Sequence, residues 1–371
     1  NRHLMPFSNG VNACFVWQAF FIPYVTTYCN PTWARHICHH LNILLAVVTS
    51  CHDELAKVPL STLAPENLFN DLTESEIAVN GIYDKMADHY QQNFIYMSDH
   101  GSHVATMLFN NPLLNLYAWY TFDNTDRFVR DTWRYAYEVI YGSNLVINRV
   151  GQLETDDDVL KNRIIAEAKF LRALAYFNLV RFYGDVPLHL EELNDFDNSE
   201  ALNKPRMSAS IIYDAIIDDL IFAEEHLYFA SWISDDSKPS YQIDDLGRAT
   251  IGAAKGLLAK VYLTRASFPE RNLDSYQLAF DKAEEIIDDA HYIIDPDYYN
   301  LNSLEGKTSH EWMFQIQYSV LGQQTSNWGG IHNPLNQGAD GRNANDWGYG
   351  RVSPTFKFAN SSAKQSLRNR P

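Results

Sequence analysis

The chain has 371 residues, 46% hydrophobic and 20% charged, the composition of a folded globular protein. Net charge is −17; residues 1–50 hold Arg2 and Arg35 and no acid, so the remaining 27 of the 29 basic residues face 46 acids, a balance of −19. Such a surface repels phosphate backbones and argues against a nucleic-acid partner.

The cysteines are Cys14, Cys29, Cys38 and Cys51, with none from 52 to 371. A mature chain starting at Cys51 has no internal disulfide and no cysteine metal site, and it must rely on packing. Leu41 to Val48 is an apolar run too short to span a membrane, which takes about 20 residues. It leads into Val48-Thr49-Ser50-Cys51 and then abruptly into His52-Asp53-Glu54. An aliphatic residue, two small ones and a cysteine resemble the lipobox of a lipoprotein signal peptide, with Cys51 as the lipid-bearing first residue. The n-region departs from that pattern, with only Arg35 among histidines. Residues 1–33 read as a misplaced start or upstream translation, and residues 1–50 are set apart from the fold.

Residues 52–72, with Pro59 and Pro65, read as an extended tether. Thr73-Glu74-Ser75-Glu76 predicts a capping box, with Thr73 as cap, opening a helix to about Asp88. Residues 91–126 read as irregular. A helix is expected from about Arg127 to Gln152, with Trp133, Tyr137, Ile140, Asn144 and Ile147 at helical spacing. From Asp158 to Tyr183, Ile164, Ala168, Leu171, Ala175 and Leu179 form one stripe; Phe170, Leu174 and Phe177 form another. That helix should be buried among others, stopped by Gly184 and kept from restarting by Pro187.

Another helix is expected over about Ser208 to Leu227. The small residues of 247–266 permit close helix–helix approach, while Arg248, Lys255, Lys260 and Arg265 exclude a membrane span. Tyr276 to Ala290 completes a helical hairpin with it. Two such hairpins suggest tetratricopeptide-like stacking. Glu311 to Tyr318 reads as a strand and 322–354 as loop, and Ser353 to Pro371 looks like a chain cut short.

Several blocks then line up: Ala78-Val79-Asn80-Gly81-Ile82-Tyr83; the pattern W-x₃-Y-x₂-I-x₃-N-x₃-N from Trp133 to Asn148; Ala166 to Phe177, reading A-E-A-K-F-L-R-A-L-A-Y-F; Tyr183 to Leu188, reading Y-G-D-V-P-L; Ile216 to Leu220; and Gly256 to Leu263. Over about 51–320 the chain resembles the SusD/RagB family of outer-membrane nutrient-binding lipoproteins. The resemblance implies a mainly α fold, tetratricopeptide-like hairpins under a loop-rich ligand face. It implies residues 51–245 as an N-terminal SusD-like region and 246–371 as a RagB/SusD domain incomplete at its C-terminus. It also implies a non-catalytic protein, lipid-anchored at the outer membrane and surface-exposed. Such a protein captures oligosaccharides and hands them to a SusC-like TonB-dependent transporter, without a cofactor.

Glycan binding needs aromatic faces for sugar C–H groups and polar side chains for hydroxyls. The loop candidates are Trp328, Trp347 and Tyr349 beside Asn327, Asn345, Asp346 and Arg351, with Tyr96 and Trp119 in the earlier irregular region. Trp133 and Trp312 sit in patterned elements and are assigned to packing. In Asp99-His100-Gly101-Ser102-His103, the two histidines stand three apart in a loop without a third ligand in view. Asp340, Asn343, Asn345 and Asp346 offer oxygens to calcium, but not at EF-hand spacing. The pairs Glu224-Glu225 and Glu284-Glu285 read as solvated helix faces, not as carboxylates set across a glycosidic bond. Nucleophile-elbow, P-loop and dinucleotide motifs are missing. Two rival functions stay open: a helical-repeat scaffold for protein or peptide, and a carbohydrate-active enzyme.

Overall fold

A computed structural model of the chain describes residues 69–90, 94, 96–102, 105–106, 112–193, 199–297, 305–317 and 353–354. The chain divides into Asn1–Asn67 and Leu68–Pro371, and every described residue lies in the second unit. Cys51, its apolar leader, most of the tether and residues 318–352 lie outside the described residues.

Helix α1 spans Leu72–His89. Its cap is Asp71, two residues before the expected Thr73. The Asp71 carboxylate accepts from the Glu74 N–H at 2.8 Å, and Glu74 accepts from the Asn70 N–H at 3.1 Å. Aspartate supplies the same kind of acceptor as threonine and adds a full negative charge at the positive end of the helix dipole. Ser75, Val79, Ile82, Met86 and His89 form the buried face at three- and four-residue spacing.

Residues 91–126 carry more structure than expected. Tyr96–His100 make a π-helical turn, Ala105–Thr106 a short strand (β1) and Pro112–Ala118 a helix (α2). Proline opens α2, where a missing N–H costs nothing. Strand β1 pairs antiparallel with Ser353–Pro354 (β4), inside the stretch expected to be loop.

Helix α3 spans Arg127–Gly151 and α4 spans Asp158–Tyr183. Asp126 caps the first through the Phe128 N–H, and Asp157 caps the second through the Leu160 N–H, at 2.8 and 2.9 Å. From Arg163 to Val180, α4 is buried almost all round, against α1, α3 and the later helix α6 (Ala209–His226). Burying a side chain such as Phe170 or Leu171 completely is worth about 1.5–3 kcal/mol.

Gly184 ends α4 at φ +70°, a conformation open to a residue without Cβ. Val186–Pro187 (β2) then pair antiparallel with Arg206–Met207 (β3), with the short helix α5 (Ser199–Leu202) between them in sequence. Asp185 joins these elements. Its carboxylate accepts from the Ala209 N–H at 2.9 Å, and its carbonyl accepts from Arg206 at 3.0 Å. Asp185 thus caps α6, where the Ser208 side chain makes no cap bond.

The polar residues of the sequence blocks pin this helix stack from inside. Arg172 donates to both Asp219 oxygens at 2.7 and 2.8 Å, to Asn144 Oδ1 at 2.6 Å and to the Leu190 carbonyl at 3.1 Å. Lys169 adds a 2.9 Å bond to Asp219. Glu167, fully buried, accepts from Arg163 at 2.6 Å, Arg248 at 3.0 Å and Tyr241 at 3.2 Å. Burial and then the Glu167 charge push the Tyr241 hydroxyl well above the usual phenol range. Buried charges are tolerated here because each meets an opposite charge and further donors.

Helices α7 (Ile251–Ala266) and α8 (Ser275–Asp289) form the second hairpin, with α7 also packed on α6. The small residues of α7 serve two purposes. Ala253 and Ala254 are buried in the helical core. Gly252 and Gly256 instead face an irregular segment: a Cβ on Gly252 would collide with the Tyr292 ring and hydroxyl, and one on Gly256 would lie 2.7 Å from Met313 Sδ. The close approach expected of a neighbouring helix is made there by residues 291–317. Within that segment, 311–317 forms no strand. Phe314 packs edge-on against Phe170, ring centroids 5.0 Å apart, and Ile316 rests on the same core. The segment is half-buried throughout, packed on helix faces and not paired in a sheet.

The described fold is mainly helical, with only short strand pairs. No described helix is long and apolar enough to cross a membrane.

Candidate functional site

Between α2 and α3 the chain turns sharply and displays consecutive aromatic side chains. Trp119 is 66% exposed, Tyr120 63% and Phe122 37%. The turn is held from several sides. Trp119 and Thr121 donate backbone bonds to Asn115 and Leu116 carbonyls at 3.0 and 2.9 Å. Tyr120 takes φ +54°, and its hydroxyl donates to the Gly101 carbonyl beside the π-helical turn. Phe122 stacks on Tyr117, with centroids 4.9 Å apart and planes within 15°.

Beneath this ridge lies a buried aromatic bed. Tyr117 touches Phe128 at 5.9 Å between centroids, and Tyr96 touches the same ring at 5.0 Å. The Tyr117 hydroxyl donates to the Asp126 carboxylate that caps α3. Burial first, then that carboxylate, pushes the Tyr117 phenol far above its usual range. One side chain therefore couples the turn to the start of a long helix.

The polar groups of the ridge come from its far end. Asp123 Oδ1 accepts from the Thr125 N–H at 2.8 Å and its hydroxyl at 2.6 Å, and these bonds hold the carboxyl below the usual range. The Asp126 backbone adds to these bonds, and Asp123 is exposed. The ridge thus offers apolar ring faces, the exposed Trp119 indole as a donor and an exposed, ionised acceptor, as a hydroxyl-rich ring requires.

Of the expected ligand residues, Trp119 lies on this ridge. Tyr96 does not: it is 0% exposed, and a ring closed in by Phe128 has no face to offer. It props the ridge instead. Asn327, Trp328, Asn345, Asp346, Trp347, Tyr349 and Arg351 lie outside the described residues, as do His103, Asp340 and Asn343. Tyr120, Phe122 and Asp123 were not among the expected residues. Their signal was legible, since W-Y-T-F-D-N between an apolar helix and an Asp cap is a run of aromatics that no periodic element would bury.

Of the two tryptophans assigned to packing, Trp133 sits as expected, whereas Trp312 lies in no strand and lines a cleft. Trp133 rests on the core, and Trp312 is half-buried with its indole N–H donating to the Gly306 carbonyl at 2.8 Å. Open clefts lie elsewhere, between α1, residues 243–248 and residues 315–317, and around Trp232. The first mixes amides and charges with Leu246 and Ile316, and its one ring, Tyr83, is largely buried with its hydroxyl bonded to the Ala249 N–H at 2.8 Å. In the second, His310 stacks flat on Trp232 at 4.8 Å and occupies that face. Glu224 and Glu285 are engaged by Lys282 at 2.8 and 3.0 Å. No group of three or more potential metal-ligating side chains gathers among the described residues.

Comparison with known proteins places this architecture. Residues 60–263 match the SusD-like family model described as starch-binding and associating with the outer membrane. A SusD-like protein of Formosa agariphila is 28% identical over 302 residues, 76% of this chain and 53% of that protein. A SusD superfamily protein of Parabacteroides distasonis, known from its crystal structure, is 27% identical with a TM-score of 0.66, over 78% of this chain and 59% of that one. A structure with a xylogluco-oligosaccharide shares the fold at 24% identity and a TM-score of 0.60, covering 72% of this chain and 51% of that one. The chain spans about half the length of the first curated relatives it matches. With the family model covering more than half of its residues, the chain belongs to the SusD-like family of starch-binding proteins that associate with the outer membrane.

Proposed function

We propose that this protein is a non-catalytic, surface-exposed glycan-binding lipoprotein that captures oligosaccharides and delivers them to a SusC-like TonB-dependent transporter in the outer membrane. Cys51 carries the lipid anchor. Capture uses the Trp119–Asp123 ridge, where ring faces take the C–H face of a sugar and Asp123 and the indole N–H take its hydroxyls; no cofactor is required. The observation that carries the reading is the exposure of Trp119 on a turn fixed from beneath, since a preordered aromatic platform loses little entropy on binding. The fold relative seen with a xylogluco-oligosaccharide supports a sugar as ligand.

The test is titration calorimetry with starch- and xyloglucan-derived oligosaccharides. Binding should occur without new reducing ends, and Trp119→Ala should weaken it about tenfold or more, the loss expected of a stacking anchor. Turnover of the oligosaccharide, or binding indifferent to Trp119→Ala, would overturn the proposal.

One observation favours a protein-binding role beside this one. Tyr276, Phe280 and Ile287 lie at helical spacing on α8 and are all exposed. An apolar stripe left exposed on the last described α-helix of the stack suits contact with another polypeptide.

A further inference from the structure

Glycans differ in charge as well as shape, and the ridge carries a charge of its own. Asp123 is fully exposed at the end of the aromatic run, its carboxylate held by Thr125 through Oδ1 and by the Asp126 backbone. Asp126 adds a second carboxylate three residues on, fixed by the Phe128 N–H and the Tyr117 hydroxyl. Among the described residues, the nearest cations in sequence have other contacts. The Arg127 guanidinium lies over the Phe128 ring, 4.7 Å from its centroid, and Arg130 pairs with Asp131 at 3.1 Å. The chain as a whole is at −17. A carboxylate accepts hydrogen bonds from sugar hydroxyls but has nothing to donate to a uronate or sulfate, which it repels.

We infer that the ridge selects neutral glycans against uronic-acid-bearing or sulfated ones, with Asp123 as the specificity-determining residue. The inference rests on the ridge being the glycan site. Its physical basis is rejection by an exposed like charge, which separates ligands that share size and stacking surface. The effect of an exposed charge is modest and salt-dependent, about three- to tenfold in affinity for each anionic group brought near the Asp123 carboxylate.

The experiment uses one backbone in two charge states. The best neutral oligosaccharide from a panel is oxidised at its primary hydroxyls to the corresponding uronate. Both forms are titrated into the wild-type chain and into Asp123→Asn, at low salt and at half-molar NaCl. The oxidised form should bind the wild type about tenfold more weakly or worse. Salt should narrow that gap, and Asp123→Asn should close about three- to tenfold of it, read as the ratio of neutral to oxidised affinity within each protein. Equal or tighter binding of the oxidised form overturns the inference, and so does a gap that Asp123→Asn leaves unchanged. In those cases the ridge still stands as the glycan site. Absence of binding to every neutral oligosaccharide, or neutral binding indifferent to Trp119→Ala, overturns the ridge itself and this selectivity with it.

Discussion

His89 makes folding of this protein acid-sensitive in a calculable way. The ring ends α1 fully buried, edge-on to Tyr90 and Phe94 at 5.3 and 5.6 Å. The Asn178 amide nitrogen lies 3.2 Å from Nε2, so Nε2 serves as acceptor and the ring is neutral. Burial lowers its pKa to about 4; contact with the Thr132 backbone opposes the shift, and the positive Arg181 adds to it. In the unfolded chain the ordinary value of 6.5 returns. Between these values the unfolded state binds the proton and the folded state does not, so stability is highest above about pH 6.5 and falls as the pH drops towards 4. A shift of that size corresponds to about 3 kcal/mol in total, of which about 2 kcal/mol is lost by about pH 5. Other carboxylates titrate in the same range, so the informative quantity is a difference. Urea unfolding of wild type and His89→Asn should be followed from neutral pH down to about pH 4.5. The variant is less stable at neutrality but should lose markedly less on acidification. Parallel curves would refute the reasoning.

Three further substitutions probe the packing. Gly252→Ala drives a methyl into Tyr292 and should cost about 1–3 kcal/mol, read as a lowered melting temperature and relieved in part by Tyr292→Ala. Asp219→Ala strands the buried Arg172 and the adjacent Lys169 and should cost about 3–5 kcal/mol, whereas replacing Asp219 and Arg172 together with leucine and methionine should cost far less. Asp185→Ala removes the cap of α6 and should cost about 1 kcal/mol, visible in chemical denaturation.

Much of the fold is legible in the sequence because burial leaves a period. Helix α4 is apolar on most of its circumference, and the structure surrounds it with helices. The blocks that identify the family are readable for a related reason. Glu167, Arg172, Asp185 and Asp219 stand where a buried charge or a cap meets several fixed partners, so few other residues fit. Those residues hold the scaffold and say nothing of a ligand. Local chemistry without a period is harder to read. Thr73 and Asp71 both satisfy a cap pattern, and only the course of the chain decides for Asp71. Helix α2 is too short to establish a stripe. Residues 311–317 read like a strand but lie on α7 and α4, a tertiary fact no local window contains. The ridge was half legible: exposure of Trp119 follows from its place between elements, but only the structure separates it from Tyr96.

That separation can be tested, because the two rings lie on the same cluster with opposite exposure. Tyr96 is enclosed against Phe128, so Tyr96→Ala leaves a cavity in packed surroundings and should cost about 3–5 kcal/mol, like other large aromatic truncations. Trp119 is mostly in solvent, and its removal should alter stability by no more than about 0.5 kcal/mol. Affinity should follow the other order. Trp119→Ala removes the platform itself, whereas a milder change beneath it, Tyr96→Phe, keeps the ring and should leave glycan affinity within about twofold. Measured together, melting temperature and oligosaccharide affinity place each residue on one axis: Tyr96 on stability, Trp119 on binding. If Tyr96→Phe abolished binding at unchanged stability, the Tyr96 hydroxyl would have to reach the ligand, and the assignment of the ridge as a surface resting on a closed aromatic bed would fail.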